Sequence, residues 1–394
     1  MSKLEKLIQQ YCPDGVEWKP LGEVCDSLNK GTLTTSKLVK SNGHNYPVIN
    51  SGRELYGYYS KYNNEGDALT IAARGEYAGF VSYFSERFWA GGLCYPYRAN
   101  TPTVSTKYLY YYLKSKQEYI RHCLVAEGGI PALNKSIIEM FEIPVPPLPV
   151  QEEIVRILDT FTELQAELQA ELQKRLQQYN YYRDNILSVY SDSNTVRILD
   201  LQQCVSPDCS MSYGVVQPGE DFIGGIPVVR PVDLSGRIIH NKGIKTVKPI
   251  LLKAYSRTEL KGGELLVCVR GTTGVVAFAG EDLKGGNVTR GIVPLRFNPL
   301  VNSNYMYHLF NSRFVKKQIE NKTQGAALQQ INVGDLKKIS IPIPPLEEQN
   351  RIVAILDRFD TLTNDLTSGL PAEMEKRRQQ YEYYRDRLLT FKRL

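Results

Sequence analysis

In this sequence of 394 residues the side chains with chemical reach are arginines placed at turns. Arg74-Gly75-Glu76-Tyr77 follows the apolar run Leu69-Thr70-Ile71-Ala72-Ala73, and Arg270-Gly271-Thr272-Thr273 follows Leu265-Leu266-Val267-Cys268-Val269. A second β-leaning run comes after each, so both read as hairpins with an arginine at the tip. A guanidinium there can pair bidentately with guanine or grip a phosphate. A surface arginine held in a salt bridge is the alternative. Ser51 and Arg53 in the first half, and Asn287, Thr289 and Arg290 in the second, sit in Gly-containing loops and could reach base edges. Asn134 with Lys135, and Gln329 and Gln330 with Asn332, could position a nucleic-acid backbone. For any one of these residues a solvated loop is the simpler alternative.

Other chemistry is missing. The sequence has no GxxxxGK[ST] phosphate loop, no HExxH and no GxSxG nucleophile elbow. The nearest approach to a base-holding Asn/Asp-Pro-Pro-Tyr loop, Phe297-Asn298-Pro299-Leu300, lacks the second proline and the aromatic. Four histidines (His44, His122, His240, His308) fall at unrelated places and read as surface or satisfied core residues. Seven scattered cysteines form no CxxC pair, so free thiols and no metal are expected. No apolar run approaches the roughly 20 residues that cross a bilayer, and acids interrupt the start where a secretory signal would be apolar. A cytoplasmic protein is expected.

The elements that must position those arginines come in duplicate. Ile143-Pro144-Val145-Pro146-Pro147-Leu148-Pro149-Val150-Gln151 returns as Ile341-Pro342-Ile343-Pro344-Pro345-Leu346-Glu347-Glu348-Gln349. Gln177-Gln178-Tyr179-Asn180-Tyr181-Tyr182-Arg183-Asp184 returns as Gln379-Gln380-Tyr381-Glu382-Tyr383-Tyr384-Arg385-Asp386. So long a period means two copies of one large module, each a globular part, proline punctuation and a polar helical stretch. The expected division is residues 1–150, a helix over 151–187, residues 188–346, and a second helix with a tail over 347–394. Beyond the shared motifs the two globular parts have little in common.

In the first helical stretch Ile154, Ile157, Phe161, Leu164, Leu168, Leu172, Leu176, Tyr179, Tyr182 and Ile186 recur at intervals of three and four. This narrow stripe suits a partner helix. The second repeats it through Ile352, Ile355, Phe359, Leu362, Leu366, Met374, Tyr381, Tyr384 and Leu388, with a break expected at Ser368-Gly369-Leu370-Pro371. Each stripe must be buried, and the obvious partner is the other copy, antiparallel and pseudo-twofold. Charge follows the same division. The chain carries a net +6, and residues 188–346 alone have 19 basic against 12 acidic side chains, while the first helix is acidic. Positive globular parts suit a polyanion.

Two unlike globular parts, each followed by Pro-Pro-Leu-x-x-Gln and a helix with Ile-Leu-Asp and Tyr-x-Tyr-Tyr-Arg-Asp, resemble the specificity subunit of type I restriction-modification systems. The likeness spans essentially the whole chain, from Leu7-Ile8-Gln9-Gln10-Tyr11 to Leu388-Leu389-Thr390-Phe391. It implies an α+β fold in which two mixed α/β target recognition domains are joined by two long antiparallel helices, a coiled-coil spacer. It further implies a non-catalytic subunit that binds a bipartite, asymmetric site on double-stranded DNA. Two methyltransferase subunits and separate restriction-translocase subunits are the implied partners. S-adenosylmethionine, ATP and Mg belong to those partners, with no cofactor in this chain. The tandem repeat Glu163-Leu164-Gln165-Ala166, Glu167-Leu168-Gln169-Ala170, Glu171-Leu172-Gln173-Lys174 is similar to repeats that set the spacer in one branch of the family. Tyr181, Arg183, Tyr383 and Arg385 project off the stripe and are duplicated, so they are candidate docking points for two copies of a partner, though i to i+4 pairing along the helix would explain them too. The competing reading is a duplicated coiled-coil scaffold that joins proteins and ignores DNA.

Overall fold

The computed structural model describes residues 3–40, 43, 45–126, 128–191, 196–323, 329–365 and 368–394. His44 and Leu366 lie outside the described residues. The chain divides into two compact units, Met1–Glu167 with Met374–Leu394, and Leu168–Glu373. Each unit therefore takes a globular part together with one end of both helical stretches.

In the first unit an antiparallel sheet runs in the order Cys25–Ser27, Cys94–Ala99, Ala68–Ala72, Val81–Phe84. Ala68–Ala72 is buried at every position, as a strand covered on both faces must be. A smaller sheet is built from Gly57–Tyr59, Tyr46–Ile49 and Trp89–Ala90, the last pairing parallel. The core joins Leu69, Ile71 and Tyr97 to Tyr108 and Leu109 of the helix Thr106–Ser115, and to Ile154 and Leu158 of the long helix.

The second unit has the same plan. Val276–Ala279, Leu265–Cys268 and Ile292–Leu295 form the large sheet, with Ile238–Ile239 added in parallel at its edge. Thr246–Val247, Ile226–Val229 and Asn287–Val288 form the small one. The Cys25–Ser27 strand is reduced here to a single bridge, Val205 to Phe297. The two globular parts, which have few residues in common, thus share one scaffold almost strand for strand, as two copies of one module should. Backbone pairing needs only the right pattern of apolar residues, so the identities were free to diverge.

The proline segments are also more than punctuation. Glu142–Val145 pairs antiparallel with Glu17–Pro20, and Ser340–Ile343 with Arg197–Asp200. In each two-stranded ribbon the proline turns its carbonyl away from the partner strand and onto a buried tyrosine, Pro144 onto Tyr108 and Pro342 onto Tyr305, so its missing N–H costs no ladder bond.

The long helix runs unbroken over Leu148–Ser191, 44 residues or about 65 Å, with the tandem repeat inside it. The second stretch is split into Leu346–Asn364 and Leu370–Leu388 where the sequence breaks it. A side chain on Gly369 would lie 2.4 Å from the Thr361 carbonyl oxygen, so the break needs glycine. Within the first unit Phe161 stacks on Tyr384 at 5.7 Å and meets Tyr381 at 6.2 Å. Within the second, its counterpart Phe359 stacks on Tyr182 at 5.6 Å and Tyr179 at 6.3 Å. In each unit an early position of one stretch meets late positions of the other, the pairing of antiparallel helices.

Candidate nucleic-acid interface

Both arginine turns are built the same way. Gly75 N–H donates to Pro131 C=O at 2.9 Å, Leu133 N–H to Ala73 C=O at 2.8 Å, and Arg74 forms a bridge with Ala132. In the second unit Gly271 N–H donates to Gln329 C=O at 2.9 Å, Ile331 N–H to Val269 C=O at 3.0 Å, and Arg270 bridges Gln330. Gly75 and Gly271 have φ of 91° and 88°, backbone that strongly favours glycine and lets the chain turn directly after the arginine. Arg74 is exposed and Arg270 half-exposed, and neither makes an ion pair with a described residue. Among the described residues, then, neither is the salt-bridged surface arginine of the alternative.

A chain of backbone bonds brings further candidates to the same end of each unit. In the first, Gly91 N–H donates to Ile49 C=O and Ala73 N–H to Leu93 C=O, each at 2.8 Å, so the loop carrying Ser51 and Arg53 lies near the Arg74 turn. In the second, Val269 N–H donates to Gly291 C=O at 2.8 Å, bringing Thr289 and Arg290 beside Arg270. Thr273 donates its hydroxyl to Gln329 C=O at 3.2 Å, while Thr272 at the tip is exposed. Glu76 and Gln329 are exposed, and Tyr77 and Gln330 half-buried. Arg290 is exposed, and Thr289 is buried with its N–H on Val229 C=O.

Several candidates are occupied by the fold itself. Asn287 is 1 % exposed; its amide donates to Tyr255 C=O at 2.9 Å and accepts the Thr258 hydroxyl at 2.7 Å. It holds a loop and has nothing left for a base edge. Asn134 caps the helix Lys135–Glu139 by accepting Ser136 N–H at 3.1 Å, and Lys135 pairs with Glu139 at 3.3 Å. Asn332 precedes the helix Val333–Lys337 and is exposed. Ser51 bonds the Tyr56 hydroxyl at 2.8 Å, and Arg53 reaches Glu54 at 3.5 Å with both side chains exposed.

The first unit gathers positive charge beyond the turn. Burial, then the neighbouring Arg385 and Arg53, push the Lys114 ammonium down to about 8. Lys316 in the second unit is likewise lowered by burial and by Arg183.

The motifs at the start of the helices turn out to be anchors. Gln151, fully buried, accepts Ser105 N–H at 2.9 Å and donates to Thr103 and Pro146 carbonyls at 2.8 and 2.6 Å. Gln349 repeats this with Asn302 N–H at 2.8 Å and the Leu300 and Pro344 carbonyls at 3.0 and 2.8 Å. Eight residues further into each helix, about two turns, Asp159 takes the Tyr111 hydroxyl at 2.6 Å and Lys107 at 2.7 Å. Asp357 takes His308 at 2.7 Å and Arg237 at 2.9 Å. His308 is fully buried, its other nitrogen 3.0 Å from the Tyr179 hydroxyl, so it is a core residue as its position suggested.

Of the duplicated helix residues, Tyr181 and Tyr383 are 65 % and 61 % exposed, each packed edge-on against the next tyrosine. Arg183 corrects its expectation: it is 8 % exposed, stacked on Tyr179 at 5.3 Å and bonded to Asp184. The i to i+4 explanation holds for it, and for Arg385, which lies over Tyr381 at 5.8 Å and pairs with Asp386 at 2.7 Å.

Among the described residues no group of three His, Cys, Asp or Glu side chains is placed to hold a metal ion. Burial pushes the Cys25 and Cys94 thiols up to about 12, which keeps them from acting as thiolates. Among these residues no helix is long and apolar enough to cross a membrane.

Sequence and fold comparisons agree with this duplicated plan. The profile described as the type I restriction modification DNA specificity domain matches residues 13–178 and again 220–376. A putative type I restriction enzyme specificity subunit of Haemophilus influenzae is 32 % identical over 405 residues, covering 98 % of each chain. A type I restriction enzyme specificity subunit of Escherichia coli is 31 % identical over 431 residues, covering 99 % of this chain and 97 % of its own. The crystal structure of a type I restriction-modification S subunit from M. genitalium shares the fold, with a TM-score of 0.58 at 17 % identity over 95 % of this chain and 96 % of that one. The chain belongs to the family of type I restriction-modification specificity subunits.

Proposed function

We propose that this chain reads a split, asymmetric DNA sequence, one half-site per unit, and has no catalytic chemistry of its own. The observation that carries the proposal is the twice-built arginine turn, with a guanidinium that makes no ion pair among the described residues. The two units offer different side chains on one backbone plan, Glu76 and Tyr77 against Thr272 and Thr273, so the half-sites they read differ. Methyltransferase subunits, one on each exposed tyrosine pair, supply S-adenosylmethionine chemistry. Restriction-translocase subunits supply ATP, Mg and cleavage. The assembly works in the cytoplasm, where the DNA is.

Duplex binding measured by fluorescence anisotropy across a salt series, with the methyltransferase present, tests this. Arg74→Ala and Arg270→Ala should each weaken binding by about 1–3 kcal/mol, roughly 5- to 150-fold. If an arginine reads a base, the loss is confined to the cognate duplex. If it grips a phosphate, the loss is uniform and the salt slope falls by about one. A salt-independent signal, or two variants indistinguishable from the parent chain, would leave a protein scaffold as the better reading.

A further inference from the structure

We infer that Ile130 of the first unit enters the base stack of its half-site as an apolar wedge, so that this unit unstacks or kinks the duplex while reading it. The inference rests on the DNA-reading role proposed above and adds a means of recognition to it. A lone exposed isoleucine needs no explanation in itself. Ile130 is singled out by what surrounds it.

It is 68 % exposed at the end of the exposed run Gly128-Gly129-Ile130. A Cβ built on Gly128, Gly129 or Gly75 would meet no atom within 4 Å, so the tip stands in open space. The chain after it is fixed: Pro131 accepts the Gly75 N–H at 2.9 Å, Ala132 bridges Arg74, and Leu133 is buried with its carbonyl taking the Tyr95 hydroxyl at 3.0 Å. Proline restricts the backbone at that position as well. The isoleucine is thus mounted on the same backbone bonds that hold Arg74, whose guanidinium makes no ion pair among the described residues. A phosphate or guanine seated on Arg74 would bring neighbouring base steps to Ile130. Apolar side chains inserted between base steps, in proteins that also grip the duplex with arginine, pry a step apart and recover the lost stacking in added contact.

The test uses the complex of this chain with its methyltransferase and the duplex motif read from methylation of the host genome. 2-Aminopurine replaces, one at a time, the adenines of either strand within and flanking the first unit's half-site, except the adenine that is methylated. The parent complex should raise its fluorescence severalfold at one step. Ile130→Ala and Ile130→Ser should return that signal to the free-duplex level with the salt slope unchanged, and should lower the bend measured by energy transfer between the duplex ends. Because Ile130 touches no core, both variants should melt like the parent. Unstacking that persists in both variants overturns the wedge while leaving DNA reading intact. An Arg74→Ala variant that binds normally overturns the DNA-reading role, and the wedge with it.

Discussion

Replacing Gln349 by leucine isolates what the Pro-Pro-Leu-x-x-Gln motif does. The fully buried amide satisfies the Asn302 N–H and the Leu300 and Pro344 carbonyls. Leucine has similar bulk and satisfies none of them. A buried group left unpaired costs about 1–3 kcal/mol, and carbonyls fall at the low end because they tolerate partial pairing. The sum is about 3–5 kcal/mol, a large part of the stability of an ordinary domain. Gln151→Leu removes the matching three bonds in the first unit and should cost the same. Urea unfolding followed by circular dichroism measures both. Tryptophan fluorescence adds a local readout, because Trp18 and Trp89 both belong to the first unit and should report Gln151→Leu directly. Glutamate should not rescue either site, since it can accept the N–H but brings a carboxylate against two carbonyl oxygens. A cost below about 1 kcal/mol in either variant would show that the glutamine does not clamp helix to globular part, and the reasoning would fail.

Glu153, 3 % exposed, is held down to about 2 by hydrogen bonding from Arg156 and Lys3 against its burial. Its stabilisation is therefore complete above about pH 4.5 and lost as pH falls toward 2. Both cations are largely solvated, so the effect should be about 1–2 kcal/mol, visible as a Glu153→Gln variant whose urea stability falls below the parent at pH 7 and closes on it as pH falls toward 2. Gly369→Ala should lower the melting temperature by several degrees, because its Cβ meets three carbonyl oxygens within 2.9 Å; calorimetry giving an unchanged or higher value would contradict the close packing of that break. Tyr181→Ala with Tyr383→Ala should halve methyltransferase uptake singly and abolish it together in sedimentation velocity. Two methyltransferases retained by the double variant would put docking elsewhere.

Periodicity made the helical stretches, their break and their partnership legible, because a stripe at intervals of three and four has no stable fate but burial. The arginine turns were legible from two apolar runs separated by Gly-containing turns. The proline strands were not: a proline argues against a strand unless one knows that the strand is an edge, and that is a fact about the partner segment Glu17–Pro20 far away in sequence. Asn287 looked solvated because its neighbours are glycines and charges, yet the Tyr255 carbonyl that buries it lies 32 residues off. Arg183 falls off the helical stripe by spacing, but Tyr179 one turn earlier offers it a ring, and the Asp184 carboxylate beside it also accepts the Arg313 N–H of another helix. Ile130 carried no signal as a residue type; only its bonds to the Arg74 turn give it meaning.

The proline ribbons have a consequence for how each long helix is seated. Pro144 and Pro342 are buried and have no hydrogen to offer, and their carbonyls are capped by the Tyr108 and Tyr305 hydroxyls at 3.0 and 2.9 Å. No polar group of the proline is then left wanting on that side, so the helix Thr106–Ser115 in one unit and Ser303–Asn311 in the other can lie directly against the ribbon. The residues that lead into each long helix are thereby welded to the globular part that precedes it.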